Sequence, residues 1–234
     1  IDTVMEETGA DAVYWCRRYE PDVIARDSAI KSTLRARGIE AESFNGNLLF
    51  EPWEIKNKQG NPFQVFTPFW RACTASGGPP EPLAAPDRLR APKVWPQSEA
   101  LSALELGPRI DWAAGIREAW RPGETGAHVQ LERFLDTIAE YGEGRDRPDL
   151  AGTSRLSPHL HFGEISPRTV WLTLRKGSKL DTRRGVERST EKFLREMGWR
   201  EFAHHLIYHF PETTDRPLRA HFDGFPWVRD PKSL

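Results

Sequence analysis

Residues 152–171 read Gly152-Thr-Ser-Arg-Leu-Ser-Pro-His-Leu-His-Phe-Gly-Glu-Ile-Ser-Pro-Arg-Thr-Val-Trp171. Two Ser-Pro pairs, Ser157-Pro158 and Ser166-Pro167, punctuate it. A serine hydroxyl accepts from the orphan amides of a helix start, and proline has no amide to leave unpaired. The stretch therefore predicts two helix starts nine residues apart, with Ser157 and Ser166 as caps. Thr153, Ser154 and Arg155 precede the first start. Hydroxyls, a guanidinium and free amides at one helix entrance suit an anion, most naturally a phosphate or diphosphate. The plain alternative is two capped helices with no ligand.

Downstream, Ser189 to Phe210 reads as one long helix opened by capping hydroxyls and closed by Pro211. Its apolar residues Phe193, Leu194, Met197, Phe202, Leu206 and Ile207 spread around the axis, which predicts burial on several sides. Glu196, Trp199, Arg200 and Ala203 share one stripe. That stripe predicts a polar cavity or, as the plain reading, an internal Glu196–Arg200 ion pair beside a core tryptophan. Upstream, Leu131, Phe134, Leu135 and Ile138 keep helical spacing from Ala127 to Tyr141, and a helix is expected over Asp111 to Trp120. Further back, six prolines between residues 77 and 97 predict an extended linker. At the start, the end of a helix stops at Gly9. A strand at Ala12–Cys16, a helix from about Asp22 to Arg37 and a strand at Ile39–Phe44 then suggest a βαβ unit in a parallel sheet.

The 234 residues allow one or two domains, and no apolar run is long enough to span a membrane. With 33 basic and 34 acidic residues, bulk charge carries no nucleic-acid signal; a basic surface would have to be local. Cys16 and Cys73 form no disulfide framework, and two partly buried thiols in a reducing compartment are expected. The nine tryptophans should mostly be core, with one or two stacking on a base or passing electrons. His205 and His209 are four apart on a helix, but no carboxylate or cysteine completes a metal site, so no metal is expected. The chain opens at Ile1, and a start partway through a longer polypeptide is expected.

Thr153-Ser-Arg-Leu-Ser157, followed by Pro158-His-Leu-His-Phe-Gly-Glu-Ile-Ser-Pro167, resembles the flavin-binding signature of the photolyase/cryptochrome family. Arg18-Tyr-Glu20, Ala25-Arg-Asp27 and Val65-Phe-Thr-Pro-Phe69 resemble the end of that family's α/β domain. The resemblance implies a partial, Rossmann-like parallel-sheet domain over 1–75, a linker over 76–108, and the first half of an all-helical FAD-binding domain over 109–234, truncated at both ends. It implies FAD held by Tyr141, Thr153, Ser154, Arg155, Leu156, Ser157 and Arg200. DNA containing pyrimidine dimers would meet Arg145, Glu196 and Trp199, the indole stacking on a flipped-out dimer and the carboxyl bonding its edge. Trp227 would be the outer member of an electron-transfer chain that reduces photoexcited flavin. Folate-binding members carry a carboxylate where this chain has Val23, so no antenna chromophore is expected. The implied protein is a monomeric, cytoplasmic, light-driven lyase that splits cyclobutane dimers. A cryptochrome photoreceptor would share flavin and fold, but plant-type members lose the tryptophan at Trp199. An unrelated helical DNA-binding or scaffold module would bind no flavin.

Overall fold

The computed structural model describes residues 1–89 and 91–226; Trp227 lies outside the described residues. Helix α1 (Asp2–Thr8) stops at Gly9, whose φ of 67° turns the chain into β1 (Ala12–Cys16). Helix α2 (Pro21–Ala36) starts on a proline, where a missing amide costs nothing, and leads to β2 (Glu40–Phe44). The two strands pair in parallel with Ala12 opposite Glu40, so the expected βαβ unit is present as a two-stranded sheet. Its own core is small: Met5, Leu34 and Ala41, with Trp15 and Ile30 packed against them.

A helix that alternation did not reveal, α3 (Phe66–Ala75), follows a long loop. Phe66, Phe69 and Cys73 bury one face of it. Pro68 is tolerated because the first-turn amides have no intrahelical acceptor. Among the described residues, the proline-rich stretch carries no regular structure up to a 3₁₀ turn at Leu101–Leu104. Its apolar side chains face water, Leu83 at 96% and Trp95 at 72% exposure. Helix α4 covers only Ala114–Ala119, shorter than the expected 111–120.

Helix α5 (Glu124–Thr137) does not run on to Tyr141. A 3₁₀ turn at Ile138–Glu140 interrupts it before α6 (Tyr141–Gly144). Helices α7 (Ser157–His161), α8 (Pro167–Leu180) and α9 (Val186–His209) complete the regular helices among the described residues, with two 3₁₀ turns after them. Helix α9 begins three residues before the expected Ser189, after Gly185 at φ 91°. Ser189 is instead buried in the first turns, where its hydroxyl donates to the Ala139 carbonyl and accepts the Gly142 amide.

Helix α9 is the axis of the main core. Its Phe193, Leu194, Met197 and Phe202 pack with Phe134 of α5, Val170 and Trp171 of α8, and Phe66 and Phe69 of α3. Leu49, Phe50 and Ile55, from the loop after β2, belong to this same core. Two glycines permit close approaches in this part of the chain. A Cβ on Gly198 would lie 2.4 Å from the Trp70 ring, and one on Gly152 would lie 2.2 Å from the Gly144 carbonyl oxygen. Of the eight tryptophans described, only Trp171 is buried; Trp53, Trp95, Trp112 and Trp199 are exposed, against the expectation that most would be core. An indole has a large rim, and here much of it covers the surface rather than filling the interior.

Candidate functional site

A cleft of about 850 Å³ opens where three parts of the chain meet. Ser154, Ser157 and the α7 turn form one wall, Glu196, Met197 and Arg200 of α9 a second, and Arg17, Arg18 and Asn47 beside the strands a third. Leu160, Phe162 and Phe193 supply apolar surface between these polar groups. Cations, hydroxyls and flat apolar patches in one concavity suit a ligand that joins an anionic group to a planar ring.

The signature stretch folds as expected at its second start and differently at its first. Ser166 caps α8 by accepting the Arg168 amide at 3.2 Å. Ser157 is not a cap: Leu156 occupies that position and Ser157 is the first helical residue, its side chain free to face the cleft. The capping acceptor is one loop earlier, since Ser154 Oγ accepts the Leu156 amide at 3.3 Å. Leu156 itself is fully buried. Arg155 has a φ of 53°, unusual for a side chain with a Cβ. Its guanidinium stacks 4.2 Å from the Trp120 ring and donates to the Ala119 carbonyl, away from the cleft. Thr153 is exposed outside the cleft lining. Glu164 braces the turn. It accepts from buried His159 at 2.5 Å, and the Gly123 amide followed by His159 holds its carboxyl below the usual range.

Tyr141 is not on the lining of this cleft; it is buried edge-on against Phe134 and the cleft residue Phe193, and burial raises its phenol above the ordinary value. Arg145 reaches past it, 3.4 Å from the Tyr141 hydroxyl, to an ion pair of 2.6 Å with Glu196. The Glu196 carboxylate holds the proton on Arg145 more firmly than usual. Neither Glu196 nor Arg200 makes the internal pair with the other that the plain reading allows. Arg200 donates instead to the Asn47 carbonyl at 2.7 Å and side chain at 2.6 Å, and it lies 3.3 Å from Glu201. Trp199 is not on the cleft lining. One face of its indole stacks on Phe66 at 3.7 Å between centroids, and the residue remains 46% exposed.

Sequence reasoning missed Asn47, Glu201 and the work of the histidines. Glu201 is almost fully buried and accepts the Leu49 and Phe50 amides at 2.8 and 3.3 Å. Burial pushes its carboxyl up to about 7, with Arg200 and the two amides opposing. His205 Nε2 accepts the Phe63 amide at 3.0 Å, and burial lowers its pKa to about 4. His209 donates to the Pro52 carbonyl at 2.9 Å. These rings are therefore spent on backbone, and among the described residues no three His, Cys, Asp or Glu side chains cluster as metal ligands. The available signal was a carboxylate and a histidine at i and i+4, sharing one face of a helix whose apolar residues spread around its axis. Cys16 is exposed and Cys73 fully buried, rather than both partly buried; burial raises the Cys73 thiol.

A short parallel βαβ unit joined to a helical core, with a cleft lined by guanidiniums and hydroxyls where they meet, defines an α/β-plus-helical protein. Residues 1–87 match the family model described as DNA photolyase. The chain is 46% identical to a deoxyribodipyrimidine photo-lyase of Agrobacterium fabrum, over 99% of this chain and 48% of that protein. It is 34% identical to cryptochrome-1 of Arabidopsis thaliana, over 97% of this chain and 34% of that one. A solved class III photolyase from Agrobacterium tumefaciens superposes with a TM-score of 0.90 at 44% identity, over 99% of this chain and 48% of the other. The chain belongs to the DNA photolyase family. It spans about half the length of the photolyases it matches. Among the described residues, no helix is long and apolar enough to cross a membrane.

Proposed function

We propose that the protein carrying this chain is a light-driven DNA-repair flavoprotein that splits cyclobutane pyrimidine dimers. The observation that carries the reading is the composition of the cleft. Ser154 and Ser157 hydroxyls and the Arg17, Arg18 and Arg200 guanidiniums surround Leu160, Phe193 and Met197. That donor set fits FAD, which pairs a diphosphate with flat rings. Ser154, Ser157 and Arg200 would hold it. Buried Leu156 and Tyr141 would back the wall, and Thr153 and Arg155 would fix the loop that shapes it. When bound and reduced, FAD supplies the light-driven electron that opens the cyclobutane ring and is afterwards returned.

The chain's own residues bind and orient the DNA. Arg145 has a guanidinium at the cleft edge for a phosphate. Glu196 beside it offers a carboxyl to a base edge, and the open face of Trp199 offers a stacking surface that Phe66 holds rigid. Trp227 keeps the role that the resemblance implies, as the outer electron donor. We assign no antenna, because an isopropyl group at Val23 cannot hold a pterin amine. We read the protein as a monomer acting in the cytoplasm on dimer-containing DNA. The greater similarity to a bacterial photolyase than to plant cryptochromes favours repair over signalling.

The test is an absorption spectrum of the purified protein, followed by blue-light repair of an oligonucleotide holding one thymine dimer after chemical reduction. Flavin absorbance with dimer loss is expected. Flavin absorbance without dimer loss would make the protein a photoreceptor of cryptochrome type, and no flavin absorbance would remove both readings.

A further inference from the structure

Arg188, Lys192, Arg195 and Trp199 follow one another along α9 at intervals of four, three and four residues. At 100° per residue these positions fall within an arc of about 60°, and they span roughly 16 Å of the helix axis. Arg188 and Arg195 are exposed and Lys192 is half-buried, in contact with the Gly142 carbonyl at 2.6 Å. Among the described residues none of the three makes an ion pair. A hollow of about 520 Å³ runs beside them, lined by Trp70 and by Glu187 and Glu191 as well as the three cations. Glu191 is committed to Arg175, which leaves Glu187 as the one carboxylate of that lining without an ion pair among the described residues. Phe66 organises the far end of the row: the Arg195 guanidinium lies 5.5 Å from its ring, and the Trp199 indole stacks on it.

Three cations in line, ending on an aromatic face with one side open, have the chemistry of a single-strand track. Cations spaced by about one helical turn meet successive phosphates, and the indole takes the base at the end. We propose that this row binds the phosphate backbone of the DNA strand that flanks the base stacked on Trp199. It extends the DNA contact along α9 beyond Arg145 and Glu196. The inference rests on the reading of Trp199 as a base-stacking residue, but it concerns phosphates and so makes its own prediction.

The experiment uses the full 234-residue chain and a fluorescein-labelled oligothymidylate, with and without one thymine dimer, titrated at several NaCl concentrations. On a single strand each phosphate contact contributes about 0.7 to the slope of log K against log salt. The triple variant R188Q/K192Q/R195Q should lower that slope by about 2 and weaken binding on the order of a hundred-fold at 0.1 M salt. The loss should be equal for the two oligonucleotides, because phosphates carry no lesion information. Glu187→Lys, which adds a cation beside the row, should steepen the slope. An unchanged slope in the triple variant, or a loss confined to the dimer-containing strand, would overturn the track. If Trp199→Leu leaves lesion preference intact while the triple variant still lowers the slope, the stacking reading fails and the track stands.

Discussion

The two sides of α9 are built to opposite ends. On one side Glu201, His205 and His209 reach into the loop after β2 and satisfy backbone groups of Leu49, Phe50, Phe63 and Pro52. Glu201 and His205 are almost wholly buried. On the other side Glu196 and Trp199 are each partly open to water, with Arg145 of the neighbouring loop paired to Glu196. The first side holds the small βαβ unit to the helical core. The second leaves polar and aromatic groups available to a ligand. One helix thus separates stability from recognition by rotation about its axis, and substitutions on its two sides should give different kinds of failure.

Glu201→Ala should have the largest effect, about 3–5 kcal/mol of lost stability, because it strands two buried amides without their acceptor and removes the carboxylate beside Arg200. A urea titration of the variant measures it, and a loss below 1 kcal/mol would mean that the latch is ornamental. His205 gives a pH signature to the same side. Its pKa falls from 6.5 to about 4 on folding, so its contribution is present above pH 6.5 and is lost as pH drops through 4. Protonation would set an N–H against the Phe63 amide that Nε2 now accepts. Acid should therefore remove on the order of 2 kcal/mol between pH 6.5 and 4, and thermal melts of His205→Gln across that range should be flatter than those of the parent. A parallel pH profile in the variant would shift the cause to another group.

The open side should respond in binding instead. Trp199→Leu should reduce preference for dimer-containing over undamaged DNA by about 1–3 kcal/mol while flavin content holds. Equal weakening toward both would show that the indole does not read the lesion. Smallest of all, Glu196→Gln should change stability by less than about 1 kcal/mol, since its ion pair with Arg145 is solvent-accessible. A larger drop in a urea titration would move Glu196 to the structural side of the helix.

The asymmetry was half legible in the sequence. The periodicity of α9 and its stripe of Glu196, Trp199 and Arg200 were visible, as were the strands at Ala12–Cys16 and Glu40–Phe44. The signature at Thr153 to Ser157 pointed to the cleft wall that Ser154 and Ser157 form. What could not be read was partnership. Arg200 finds Asn47 more than 150 residues away, Arg145 takes the Glu196 that spacing offered to Arg200, and Arg155 turns to Trp120. Local rules state which face a side chain occupies, but only tertiary packing decides which distant backbone group lies opposite. Helix α3 was missed for a related reason: its apolar residues Phe66, Phe69 and Cys73 keep helical spacing over only ten residues, with a proline in the first turn.

The distance between the halves of the latch also sets a timetable. The groups joined by Phe63–His205 and Pro52–His209 stand 142 and 157 residues apart in the chain. At a synthesis rate of about 5–20 residues per second, the loop carrying Leu48, Leu49 and Phe50 emerges roughly eight to thirty seconds before the helix that covers it. In that interval the β-unit's own core, among the described residues, is Met5, Leu34 and Ala41 with Val13, Trp15, Ile30 and Ile39 packed against it. The nascent chain therefore carries a greasy loop uncovered until α9 leaves the ribosome, and a chaperone that shields extended apolar segments would find its substrate there.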